Sequence, residues 1–242
     1  MKLTQLQSIA CSALVLLLGL MAAHAETLTH RSPYLHMASL GRYLVADRNA
    51  EIALARSAAP ASISRNAKVM VLGRRGYETV RAGTNGFTCL VERAWMSPFD
   101  SPEFWNPKIR GPICYNAPAS RSILLYTINR TELALAGLSK VQMIDRIDAV
   151  LAEKKLPPPE AGSMSYMMSS KQYLGDSVGP WVPHLMFHAP ESDGAKDGAS
   201  WGANLRGSPV MLNTSYKRVP EPETIFMVAV GFWSDGMAAP AM

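Results

Sequence analysis

The alternation of hydrophobic and polar positions changes period several times along this chain. Residues 47–58, DRNAEIALARSA, are strong helix formers, and Pro60 stops them. Residues 69–72 form a short β-rich run. Residues 78–82 and 87–93 are two further strand-like runs that flank Gly83-Thr84-Asn85-Gly86. Asn-Gly between such runs signals a hairpin, because both residues tolerate positive φ. The first half therefore predicts one helix and a three-stranded meander. Phe87, Cys89 and Val91 share one face of the last strand, which turns the cysteine inward.

Helical signals follow. Residues 119–137 contain Ile123, Leu124, Tyr126, Leu133, Leu135 and several alanines. Ser139 and Gln142 fit a capping box, in which the serine accepts from a free N–H and the glutamine reaches back. The helix they open, over 140–155, places Val141, Ile144, Ile147 and Leu151 on one face. Lys154 and Lys155 suit its C-terminal dipole, and Leu156 with three prolines ends it. The PPPEAGS run reads as the return from a helix pair to the sheet rather than as a domain linker. The last third is β-rich, with candidate strands at 165–169, 184–188, 210–212 and 224–232. The last of these, TIFMVAVGF, is apolar on both faces and predicts a central strand covered on each side. Residues 189–207 and the end GMAAPAM read as loop and tail. No internal repeat is present. Strand runs with a separate helix pair predict a single α+β domain with a largely antiparallel sheet.

One stretch has neither period. Residues 95–116, WMSPFDSPEFWNPKIRGPICYN, hold four prolines and five aromatics in 22 residues. Loops beyond about 12–15 residues are commonly functional or disordered. Trp95, Phe99, Phe104, Trp105 and Tyr115 give this one too much to bury for disorder, and its prolines reduce its unfolded entropy. A rigid loop is expected. It either caps the sheet's core, forms one wall of a ligand cleft, or meets a partner protein.

The N-terminus adds a destination. Lys2 supplies a positive start, residues 12–23 are an apolar stretch of 12, and Ala23-His24-Ala25 is an A-x-A cleavage site. These are the three parts of a secretory signal peptide over residues 1–25. The stretch is shorter than the about 20 residues of a membrane span, and no later apolar run is long enough to be one. Cys11 precedes the apolar run, so it does not read as a lipoprotein anchor. The mature chain is then 26–242, one periplasmic or secreted domain. Its net charge falls from +5 to +4 on loss of Lys2, and its basic residues are scattered, with Arg74-Arg75, Lys154-Lys155 and Lys217-Arg218 the adjacent pairs. That scatter argues against nucleic-acid binding. Two cysteines remain, Cys89 and Cys114, and an oxidising compartment favours their disulfide. Closing that loop adds roughly 3 kcal/mol on the loop-entropy model.

Several phrases occur together: EIALARSAAP, GTNGFTC, SPEFWNPKIRGPIC, RTELALAGLSK and PHLMFHAP. With them the chain, over about residues 44–236, resembles a family of exported bacterial proteins known only as uncharacterised. The resemblance implies bacterial export and carries no catalytic residue.

No nucleophile elbow, phosphate loop, dinucleotide fingerprint or H-E-x-x-H is present. Residues 214–217, TSYK, only echo an S-x-x-K motif. No cofactor is expected. Three site readings remain. The first is a small ligand or a protein partner bound by the loop, with Trp95, Phe99 and Trp105 offering apolar faces and Lys108 and Arg110 polar contacts. The second is a hydrolase using Asp100 and Glu103 as paired carboxylates. The third is a soft-metal carrier. On a strand, His184, Met186 and His188 share one face with neighbours about 6.6 Å apart, and a His–Met pair suits an ion such as Cu(I). The two histidines alone, about 13 Å apart on that strand, could not share a zinc ion.

Overall fold

The computed structural model describes residues 33–191, 201–212 and 219–240. The expected signal segment, the start of the mature chain with His30, and the 214–217 echo lie outside the described residues. Among the described residues no helix is long and apolar enough to cross a membrane.

Asp47 starts the first helix, α1 (Arg48–Arg56), by accepting the Asn49 N–H at 2.8 Å. A one-turn helix, α2 (Ala61–Ser64), follows Pro60. Three strands come next: β1 (Lys68–Gly73), β2 (Gly76–Arg81) and β3 (Thr88–Glu92). They do not form the expected meander. The tight hairpin joins β1 to β2, where Gly73 faces Gly76 across Arg74-Arg75. The Asn85-Gly86 segment instead carries the chain past the end of β1, so that β3 lies parallel to β1 on its other side. Asn85 shapes that passage. Its carbonyl accepts the Phe87 N–H at 3.1 Å, and its amide donates to the Ile63 carbonyl at 2.8 Å. Gly83 permits it, because a Cβ there would lie 2.1 Å from the Lys68 nitrogen.

The stretch read as wholly irregular contains a strand, β4 (Gly111–Tyr115). All five of its residues are buried, so no alternation marked it. Asn116 then accepts the Ala119 N–H at 3.0 Å and starts α3 (Ala117–Arg121), which leads into α4 (Ile123–Leu135). The capping box opens α5 (Lys140–Ala152) as expected. Ile144, Ile147 and Leu151 of the expected face pack on the core, and Val141 does not. Met143 and Ile147 are buried, whereas Val141 is 62% exposed. Val141 lies roughly 120° round the helix from Ile147.

The chain returns through β5 (Met164–Met167), β6 (His184–Pro190), β7 (Val210–Leu212) and β8 (Glu223–Ala229). The eight-stranded sheet has the order β2-β1-β3-β4-β5-β6-β8-β7, and every pairing except β1–β3 is antiparallel. β8 is therefore penultimate rather than central, and only Thr224 and Phe226 within it are buried.

The sheet separates two apolar layers. On one face Ala55 of α1 packs with Val69, Val91, Cys89 and Cys114. Cys89 and Cys114 are directly opposite on β3 and β4 and form the disulfide. On the other face Leu90, Ile113 and Tyr115 pack against Ile123, Leu124 and Tyr126 of α4. A further cluster unites the aromatic loop with Ala134 of α4 and Met143 and Ile147 of α5.

Candidate functional site

The loop aromatics face the interior. Trp95 is fully buried and its indole N–H donates to the Thr131 hydroxyl at 2.9 Å. Phe99 is also buried, with the Arg130 guanidinium 4.5 Å above its ring centroid. Arg130 binds Glu221 through two hydrogen bonds of 2.6 Å and donates to the Trp95 and Ser97 carbonyls at 3.1 and 2.8 Å. Trp95 and Phe99 are thus buried in the core cluster that the loop shares with α4 and α5. Their side chains supply the apolar mass that seals the loop onto α4 and α5.

The polar candidates serve the same loop. Both Glu103 carboxylate oxygens accept hydrogen bonds, one from the Asn106 amide at 2.6 Å and one from the Asp176 N–H at 3.0 Å. Asp100 is exposed. Lys108 donates to Asp176 at 2.6 Å, and Tyr173 and Tyr34 also donate to that carboxylate. Lys108 first, then the two tyrosines, hold the Asp176 carboxyl well below its usual range. Arg110 donates to the Pro107, Ile109 and Arg42 carbonyls at 2.9, 2.7 and 3.1 Å. Burial, with repulsion from Arg93, pushes its pKa down to about 10.

Trp105 is different. It is 3% exposed, yet it lines a groove of about 700 Å³. Residues 35–38 and Leu40 form one wall, and the end of α4 with the first turn of α5 forms the other. Gly137, at φ +79°, makes the turn between those helices. The lining is mainly apolar, and Leu35 and Val141 stand at its rim, 59% and 62% exposed. Lys140 also lines it. Its ammonium donates to the Phe99 and Ser101 carbonyls at 2.9 and 3.2 Å and lies 4.8 Å from the Phe104 ring centroid. Burial lowers the Lys140 pKa from its ordinary value. The sequence offered Trp105 as one wall of a cleft, and in the fold it lines this groove; the residues facing it, within 35–40 and 134–142, carried no such signal because they meet only in the fold.

The 184–188 strand face is as expected: His184, Met186 and His188 point the same way and all are buried. His188 has a second setting that the sequence did not reveal. Its Nδ1 is 3.0 Å from a Glu223 carboxylate oxygen and its Nε2 is 3.0 Å from the Ser165 hydroxyl. The carboxylate accepts from a protonated Nδ1, and in that tautomer Nε2 accepts from Ser165. This is the atom order of nucleophile, base and orienting acid. Ser165, however, is fully buried, which leaves no room for a substrate at its hydroxyl. Nearby, Thr127 donates to Glu92 at 3.0 Å and Tyr115 also donates to it. Burial pushes the Glu92 carboxyl up despite those donors. Strand register brings together its members on β3, β4, β5, β6 and β8, and Thr127 reaches it from α4. Among the described residues no group of three or more His, Cys, Asp or Glu side chains is placed to hold a metal ion.

No family model, curated protein or solved structure matches the chain.

Proposed function

We propose that this is an exported, non-catalytic protein that binds a small, mainly apolar molecule in the groove between residues 35–40 and the α4–α5 turn. The observation that carries the reading is the groove itself. Its volume of about 700 Å³ lies within the roughly 300–1,000 Å³ of small-molecule sites. Its walls are apolar, its base is a tryptophan held by packing, and a lysine sits at one side. Tyr43 stiffens the base by donating to the Trp105 carbonyl at 2.8 Å. Export, to the periplasm or beyond, is supported by the N-terminal pattern and by a disulfide, which persists in oxidising compartments. The loop contributes through Trp105, while the rest of it supports that side chain. The hydrolase reading has less support, since Glu103 is engaged at both oxygens in bracing the loop.

Titration with the fluorescent probe N-phenyl-1-naphthylamine tests the proposal. One probe should bind per chain. Leu35→Glu together with Val141→Glu, both at exposed rim positions, should weaken binding at least ten-fold while leaving the thermal midpoint nearly unchanged. Undiminished binding by a folded double variant would place the site elsewhere.

A further inference from the structure

We propose that the helix-covered face of β5 and β6 holds a site for one soft monovalent cation of the Cu(I) type, with His184, Met186 and Met167 as donors and the Trp181 ring beside them. The inference is independent of the groove.

Strand register brings the donors together. Met167 on β5 is directly opposite His184 on β6, and Met186 is two residues further along the same face. Directly opposed residues have Cβ atoms roughly 4.5–5.5 Å apart, and alternate residues of one strand lie about 6.6 Å apart. Methionine side chains are unbranched and turn about three bonds, so their thioethers can converge from those anchors. Met167 and Met186 belong to one buried cluster, and Met227, directly opposite Met186 on β8, packs against it.

His184 is prepared for the task. It is 2% exposed, and its Nδ1 lies 2.8 Å from the Val182 carbonyl. That carbonyl fixes the hydrogen on Nδ1 and leaves a lone pair on Nε2, the arrangement in which an imidazole presents its second nitrogen to a metal. Among the described residues no hydrogen bond occupies Nε2.

The loop before β6 carries two further signs. Trp181 has φ +48°, a conformation that costs an aromatic residue energy. Its ring stands edge-to-face with His184 at 4.7 Å between centroids. A cation next to an indole gains from the ring's negative face. Gln172 donates to the Pro180 and Val182 carbonyls at 2.6 and 3.5 Å, the second being the carbonyl that His184 uses. Its own buried Oε1 has no partner. Buried polar atoms are rarely left so.

Two thioethers and one neutral imidazole form a soft, uncharged set. Such donors select Cu(I) over Zn²⁺, Mg²⁺ or Ca²⁺, which prefer thiolate, carboxylate or carbonyl ligands.

The test is anaerobic competition for Cu(I) against bicinchoninate, using the whole mature protein with its disulfide intact. One equivalent should transfer to the protein. Met186→Leu and Met167→Leu conserve volume and should keep the fold, yet each should lower affinity at least ten-fold. Met96→Leu, in the loop cluster, should leave it unchanged. Binding should quench tryptophan emission, and Trp181→Leu should remove most of the quench. No transfer from the chelator would overturn the proposal. So would retained affinity in the folded Met167→Leu/Met186→Leu double variant, or an equal loss in Met96→Leu.

Discussion

Arg130 shows how single side chains hold the candidate site in place. Its guanidinium ties α4 to Glu221 beyond β7 and to two carbonyls of the aromatic loop. Arg130→Met leaves Glu221 buried and unpaired, so a urea melt should show a loss of about 3–5 kcal/mol. A loss under 1 kcal/mol would mean that Glu221 finds other partners. Glu92 makes a pH-dependent case. Burial raises its folded pKa above the unfolded value. Its contribution is therefore fully present below the usual carboxylate pKa and is lost as pH rises through the raised one. Glu92→Gln keeps an acceptor for Tyr115 and Thr127. Its thermal midpoint relative to the parent should rise from pH 4 to pH 8, whereas a constant difference would refute the sign. None of these partnerships was legible in the sequence. Glu221 is 91 residues from Arg130 and Glu223 is 35 from His188, and no local period links them.

Elements were legible where their signals were local. The helix formers over residues 47–58, the Ser139–Gln142 box and the alternation over residues 184–188 each rest on a few neighbouring residues, and each is in the fold. The failures have one physical cause, which is that pairing is decided by residues far along the chain. Gly83 to Gly86 read as a hairpin turn, but Gly83 is there for close approach to β1. Gly83→Ala should cost roughly 1–3 kcal/mol or more in a chemical melt, since its Cβ would meet backbone rather than a flexible tip. An unchanged midpoint would show that the crossing can shift aside. β4 escaped because a strand buried on both faces has no alternation, and Pro112 further disguised it. Val141 was assigned inward by its apolarity, and the fold turns it to the groove's rim instead.

At the scale of the molecule, the sheet and its two layers make a scaffold, and the groove lies where the aromatic loop meets the end of α4. The class of fold followed from the order of periods along the chain, and the disulfide from compartment and cysteine count. The groove did not, because aromatic residues in a proline-rich loop look alike whether they form core or cleft. Trp95 and Trp105 share that loop, yet one donates to Thr131 in the interior and the other lines the groove. An NMR titration of isotope-labelled mature protein with N-phenyl-1-naphthylamine separates them most directly. If the groove is the binding site, the Trp105 indole resonance and those of Leu138 and Val141 shift together to saturation, while the Trp95 indole stays in place. Saturable shifts confined to other regions, or none at probe concentrations that raise fluorescence, would contradict it.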